Sequence, residues 1–545
     1  MRLILLILCI YGFTGLHHVL PECPPIPGKT EVRPSRISPI KHLDYARARA
    51  LAQGKTLTLP VTYNILVIRV EFALDSTSRT TGNGKFESGT TQSVVEAFME
   101  KLKNYYTENS YAQLTASYTV TSIYSLSKAM SSYGTDTPYD QYDTLVEDII
   151  NTTTVAADHA LAGFAHFMIY HAGAGQESDV TGDSPDDIWS AYVSDLGISC
   201  PISSATFVPE KENGSADPLG VICHEYGHQL GLPDLYYVDD SGSQNSTLGY
   251  WTLMDAGVWI GSPQGSNPSH LDAWSKLDLG FMTPQVISGD VSNLALLPSE
   301  TSKSTFYKIT IPIADDPEKE FFLVEYRYRN SGAVYDKYIP GDGILVYHVD
   351  NAIAQDSTRR NTANDVNSGF PHYGIDIEEA DGTDSGRNLG DAGDAYGTGY
   401  NIFGAPLSRA YNGIESGITL TFNAASGSGS MSALSISYEP SMSIKKLINY
   451  PNPSSTGQTT FHIRLSRPHT DMELNIYTLA GERVRTLPKA LFSIDSAKSS
   501  DNSWVYEYSW DGKNGEGDNV ASGVYFYLLR VNDDKTKTGK LAIIK

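Results

Sequence analysis

The sequence predicts an α+β protein of several folded units: an α/β layer first, a β-rich region next, and a β-sandwich last. Three observations carry that expectation. The chain has 545 residues, more than one ordinary domain holds. Strand-like and helix-like patterns alternate over its first half, and short strands alone follow in the second. It is 40% hydrophobic and 10% aromatic, enough to build buried cores and to exclude general disorder. A formal net charge of −23 disfavours nucleic acid and anionic lipid as partners and favours proteins and cations.

The chain opens with "MRLILLILCIYGFTGL", one basic residue (Arg2) ahead of a short apolar stretch. Residues 1–18 read as a secretory signal peptide, short for a bilayer-spanning helix, with an uncleaved anchor as the alternative. No later run has the length of a spanning helix, so the expected destination is secreted or cell surface. Residues 19–60, with "PPIPGKTEVRPSRISPIKH", are proline-rich and aperiodic and read as a pro-segment or leader.

A first domain is expected over 61–288. "YNILVIRVEF" is a β-branched run suited to a buried strand, and "SVVEAFMEKLKNYYTENS" is an amphipathic helix. Ser93 and Glu96 have capping-box spacing there, and Val95, Phe98, Met99, Leu102 and Tyr106 share one face. "YDQYDTLVEDIIN" gives a second helix and "FAHFMIYHAGAG" a strand entering a glycine loop. A β-rich domain over 289–440 follows from "FYKITIPI", "KEFFLVEYRYR", "DGILVYHVD", "YGIDIEEA" and "SALSISYE". Over 441–545, "TTFHIRLS", "MELNIYTLAGERVRTL", "YEYSWDGKNGEG" and "GVYFYLLRV" fit an Ig-like β-sandwich.

The segment "HEYGHQLGLPDLY" carries chemistry. Residues four apart lie on one helical face, so His224 and His228 can both offer imidazole nitrogen to one metal. Glu225 lies about a hundred degrees round the helix, beside those ligands, where it can hold a water. Gly231 suits the left-handed turn that ends a helix, and Asp234 can then return as a third ligand. Pro233 restricts the backbone just before it. Three protein ligands with an open fourth position describe a catalytic zinc site. H-E-x-x-H alone arises by chance in roughly one such chain in fifty, and with the Gly and Asp in about one in ten thousand. An incidental amphipathic helix is therefore set aside. Should Asp234 not serve, Asp239, Asp240 and Asp255 are the next carboxylates. Met254, in "YWTLMDAGVW", sits where metzincin-type zincins place a methionine turn beneath the metal.

These residues resemble the immune inhibitor A family of secreted bacterial metallopeptidases, within the metzincins. "NILVIRVEF", "YYTENSYAQL", "YHAGAGQE", "DIWS", "LDAWSKLDLGF", "GDGILVYHVD" and "GIDIEEADG" extend the likeness from about Val61 to Tyr438. The resemblance implies zinc on His224, His228 and Asp234, Glu225 as general base and acid, and Met254 as the Met-turn. It implies protein or peptide substrates and a zymogen with a pro-segment shorter than in larger members. The tail, through "YPNP", "LNIYTLAGERVRTL", "WDGKNGEG" and "SGVYFYLLRV", resembles C-terminal sorting domains of type IX secretion and flagellar hook-capping Ig modules. That implies the secretion machinery as a partner. The rival class is a catalytically inactive cell-surface binding protein on a protease-like scaffold.

Asp381, Asp384, Asp391 and Asp394 cluster among glycines, as a calcium loop or a solvated acidic loop would. His171, His348 and His372 lack metal spacing and read as structural. Once Cys9 leaves with the signal peptide, Cys23, Cys200 and Cys223 are an odd set. Cys200 has Cys23 or Cys223 as candidate partners, and a Cys23 thiolate has the open zinc position as an alternative.

Overall fold

The computed structural model describes residues 59–545, apart from 76, 135–140, 180–183, 199, 239–243, 246, 313, 361–365, 369–371, 383–388, 398–400, 414, 424–431, 439–443, 466–471, 496–503 and 532–534. The expected signal peptide, Cys23, Asp239, Asp240, Asp384 and all of the expected leader but its last two residues lie outside the described residues. The chain is mixed α+β and divides into two compact units.

The larger unit begins with a five-stranded sheet of β1 (Val61–Glu71), β2 (Leu114–Ser125), β3 (His166–Ala174), β4 (Ala191–Val193) and β5 (Ala205–Lys211). Its order is β2-β1-β3-β5-β4, parallel except for β4, which runs antiparallel at one edge. Alternate side chains of a strand point to opposite faces, and β1 uses both. Ile65 and Val67 join a core with helices α1 (Gln92–Asn109) and α3 (Leu219–Gln229), whereas Leu66, Ile68 and Val70 join one with α2 (Tyr142–Thr152). This two-sided burial is why the run reads as continuously apolar. α1 buries Val95, Met99, Leu102 and Tyr106 as expected, and Tyr105 and Asn109 as well.

The Ser93–Glu96 capping box does not form. α1 starts two residues earlier, with Thr91 at the N-cap and no side-chain cap, and Glu96 instead accepts from Gln92 Nε2 at 2.9 Å. The first core continues through the short helix α4 (Ala273–Asp278) into a second sheet that includes β6 (Glu320–Arg327) and β7 (Gly343–Asp350), an antiparallel pair buried along their whole length. One apolar core thus runs from Ile65 to Ala395.

Most of the smaller unit lies beyond Ser437. There, two four-stranded sheets share one core that includes Phe461, Ile463, Leu474, Ile476, Trp510, Leu529 and Leu541. Their pairings are antiparallel. Among the described residues, no helix is long and apolar enough to cross a membrane.

Candidate metal centre

α3 is buried throughout from Leu219 to His228, so its polar side chains must find partners inside the protein. The helix ends in a glycine-terminated reversal. Gly231 has φ +107°, its N–H donates to His228 O at 2.9 Å, and the Leu232 N–H donates to Gly227 O at 3.1 Å. That paired pattern is a Schellman motif, which turns the chain back along the helix it has just left. Arg360 holds the reversal from outside, donating to Gly231 O at 2.8 Å while pairing with Asp278 at 2.7 Å.

The turn brings Asp234 onto the two histidines. His224 Nε2 and His228 Nε2 are 3.0 Å apart, and Asp234 Oδ1 lies 3.0 and 3.3 Å from them. All three side chains are fully buried. Ligand atoms about 2.0–2.2 Å from a tetrahedral ion stand roughly 3.3–3.5 Å apart, so this triangle needs to open by only a few tenths of an ångström to seat one.

The far side of each of these side chains is fixed. His224 Nδ1 donates to Leu253 O at 2.9 Å and His228 Nδ1 to Leu232 O at 2.8 Å. With Nδ1 protonated, each Nε2 lone pair faces the triangle. The Tyr236 hydroxyl donates to Asp234 Oδ2 at 2.9 Å, which leaves Oδ1 for the triangle. Burial works to raise the Asp234 carboxyl, but His228 and His224 beside it hold it below the ordinary carboxylate range. The donor set fits zinc: two imidazoles and a carboxylate, with back-side hydrogen bonds already made.

Glu225 flanks the triangle. A carboxylate oxygen of Glu225 and one nitrogen from each imidazole lie within 4.8 Å of one another. Met254 lies under the helix, where a Cβ added to Gly227 would come 2.9 Å from its sulfur and 3.0 Å from Tyr106 Oη. Gly220, seven residues back on the same face, would meet Val258 O at 2.0 Å. Both glycines let the Leu253–Trp259 segment approach α3 closely. That segment also holds the triangle's surroundings, since Leu253 O accepts from His224 and Met254 O accepts from the Leu235 N–H, next to Asp234, at 2.9 Å. Asp255 is used differently: its Oδ2 accepts from Thr247, Leu248 and Gly249 N–H at 2.9 Å each, which ties down the same loop.

The remaining sequence candidates lie elsewhere. Asp381 and Asp391 both approach Gly393, while Asp394 Oδ2 accepts from Trp251 Nε1 at 2.7 Å and from Asp391 N–H at 2.8 Å. Among the described residues, these carboxylates form no three-donor group, so calcium finds no support there. His171 Nδ1 faces Ala172 O, His348 lies between Glu320 and Glu378, and His372 meets Asp350. Cys200 and Cys223 are free thiols and do not pair with each other. Tyr236 and Arg360 escaped the sequence reading. A tyrosine two residues past a ligand is a visible signal, whereas Arg360, 129 residues from Gly231, leaves none.

Comparison with known proteins places this centre in context. Residues 156–281 match the family described as "Immune inhibitor A peptidase M6, catalytic domain". Pre-pro-metalloprotease PrtV of Vibrio cholerae is 33% identical over 122 residues, 20% of this chain and 13% of that protein. Immune inhibitor A of Bacillus thuringiensis is 30% identical over 152 residues, 25% of this chain and 20% of that protein. The chain therefore spans a fifth or less of the length of these relatives. A solved structure of dimeric latent PorU from Porphyromonas gingivalis is 20% identical over 23% of this chain and 12% of that one, at a TM-score of 0.16, too slight to bear on the fold. The chain thus carries, over residues 156–281, a match to the peptidase M6 catalytic domain, and the histidines, Glu225, Asp234 and Met254 all lie within it.

Proposed function

We propose that this chain is a zinc-dependent endopeptidase exported from the cell, with His224, His228 and Asp234 as the metal ligands. The observation that carries the reading is the buried 3.0, 3.0 and 3.3 Å triangle of donor atoms with its back-side hydrogen bonds in place. Zinc held there supplies Lewis-acid chemistry, polarising a peptide carbonyl and lowering the pKa of a water. Glu225 then takes the proton of the attacking water and delivers it to the leaving amine, which is general base followed by general acid catalysis. Met254 and the Leu253 carbonyl keep α3 and its imidazoles in place during turnover. Protein or peptide chains are the substrates.

Glu225→Gln tests this against the binding-protein alternative. The variant is expected to keep zinc and to lose about 10²–10⁴-fold in peptide cleavage. Unchanged cleavage by a zinc-loaded Glu225→Gln protein overturns the assignment.

The domain plan belongs to the same proposal: a signal peptide and pro-segment, a catalytic region from residue 61, and a sorting domain over 441–545 that engages the secretion machinery. Every proposed catalytic group precedes Pro284. Deleting 441–545 should therefore leave peptide cleavage intact and stop delivery to the cell surface. Loss of cleavage by a folded, truncated chain would place the tail in the catalytic unit.

A further inference from the structure

Two residues of the triangle ride on α3, but Asp234 lies beyond it, on the return that follows Gly231. A side chain on a return is only as well aimed as the backbone contacts that hold its ends. Here both ends are held by one later stretch of chain. Arg360 donates to Gly231 O at the near end, and Asn367 Nδ2 donates to Leu235 O at 2.9 Å at the far end. Leu235 stands between Asp234 and Tyr236.

Asn367 is itself firmly placed. It is fully buried, and it is anchored on the strand β8 (Ile375–Ile377), which pairs with β7. The Ile375 N–H donates to Asn367 Oδ1 at 3.0 Å, and Asn367 Nδ2 donates to Ile375 O at 2.8 Å. A backbone N–H can meet only the amide oxygen, so this pairing fixes which way the amide faces. One Nδ2 hydrogen serves Ile375 O. The other lies toward Leu235 O and Thr247 Oγ1, each 2.9 Å away. The Thr247 hydroxyl donates to Leu235 O too. The Leu235 peptide is thus held twice, its N–H by Met254 O and its C=O by Asn367 and Thr247.

We propose that Asn367 is a positioning residue for the metal centre: by tying Leu235 O to β8 it sets how far Asp234 Oδ1 stands from the two imidazole nitrogens. This rests on the reading of the triangle as a zinc site. Tyr236, on the other side of Leu235, already engages Asp234 Oδ2, so a shift of the Leu235 peptide carries the carboxylate and its hydroxyl partner together. Without the amide, the far end of the return hangs on Met254 and Thr247. Asn367 also lies outside residues 156–281, so the support of the centre extends into the β-rich part of the chain.

The test uses the full chain with cobalt(II) in place of zinc, because its visible bands respond to the number and geometry of its ligands. The parent should take up about one cobalt with the intense bands of a low-coordinate site. Asn367→Ala should bind zinc about 10–100-fold more weakly and show a shifted, weaker cobalt spectrum. Val366→Ala, a neighbour buried in the apolar core, loses packing but keeps the amide contact, and should keep the parent spectrum. If Asn367→Ala does not fold, Thr247→Val takes the hydroxyl from Leu235 O and should shift the bands in the same direction. A parent that takes up no cobalt overturns the zinc reading and the positioning role with it. A cobalt-loaded parent whose spectrum and zinc affinity are shared by Asn367→Ala, or by Thr247→Val in its place, overturns the positioning role and leaves the zinc reading standing. An equal spectral change in Val366→Ala overturns the role too, because general loosening then explains it.

Discussion

Trp251 and Leu253, two residues apart, each lend a backbone carbonyl to a different buried polar cluster. Leu253 O accepts from His224 in the metal triangle, and Trp251 O accepts from Arg327 Nη1 at 2.9 Å. Arg327 is fully buried, with Asp336 accepting in bidentate fashion at 2.8 and 2.6 Å and Glu325 accepting at 3.3 Å, while Glu300 forms an ion pair at 3.6 Å. Tyr347 also donates to Glu325 at 2.6 Å. One cluster contains its own cation. In the other, two imidazoles and a carboxylate stand 3.0, 3.0 and 3.3 Å from one another, an arrangement that a cation from solution would complete. Burial alone therefore does not distinguish a structural polar cluster from a functional one. The distinction lies in whether the chain provides the counter-charge.

The largest effect expected from breaking this contrast is on stability. Arg327→Leu leaves Asp336, Glu325 and Glu300 facing each other out of water, and should cost about 3–5 kcal/mol. Urea titration measures it. If Arg327→Leu matched the parent, the cluster would not depend on its cation and the contrast would fail.

A smaller effect sharpens the metal side. Tyr236→Phe removes only the hydroxyl that occupies Asp234 Oδ2, so zinc affinity should fall about 10–100-fold with little change in the melting of the metal-free protein. Competition with a chromophoric chelator gives the affinity. Equal affinity in both proteins would mean that Asp234 is oriented by other contacts.

The smallest effect concerns a third arrangement, a histidine between two carboxylates. His348 Nε2 lies 3.0 Å from Glu320 and Nδ1 lies 3.0 Å from Glu378. Burial works to lower its pKa, but the two carboxylates win and raise it above the ordinary value. A raised folded pKa stabilises the protein fully below the unfolded value of about 6.5, and the benefit fades as pH rises through the folded value. The parent should lose melting temperature across that window, and His348→Gln should show a flatter profile. A parent whose melting is level from pH 6 to 9 would place His348 neutral throughout.

These clusters also mark how far the sequence could be read. The proximity of the proposed metal ligands was legible because helix geometry fixes the spacing of His224, Glu225 and His228, and a glycine announces the reversal before Asp234. Local rules suffice over eleven residues. The strands were legible wherever burial on both faces left an unbroken apolar run, as in β1 and β6. The Arg327 cluster was not, since Glu300, Arg327 and Asp336 meet through tertiary packing and each resembles an ordinary surface charge in the sequence. β4 escaped for a related reason: three residues carry no measurable period, and only pairing with β5 makes them a strand. The capping box failed because spacing alone cannot choose between neighbouring helix starts, and the helix begins at Gln92.

The contact between Gly227 and the Met254 sulfur has a consequence for protein engineering. The helix bearing H-E-x-x-H is not a portable cassette. Grafted beneath any turn of ordinary bulk it would keep its histidines and lose their alignment, because the bare glycine face is shaped to one thioether. A designer moving this centre into another scaffold would have to carry two distant pieces of chain together and treat residues 227 and 254 as a single choice.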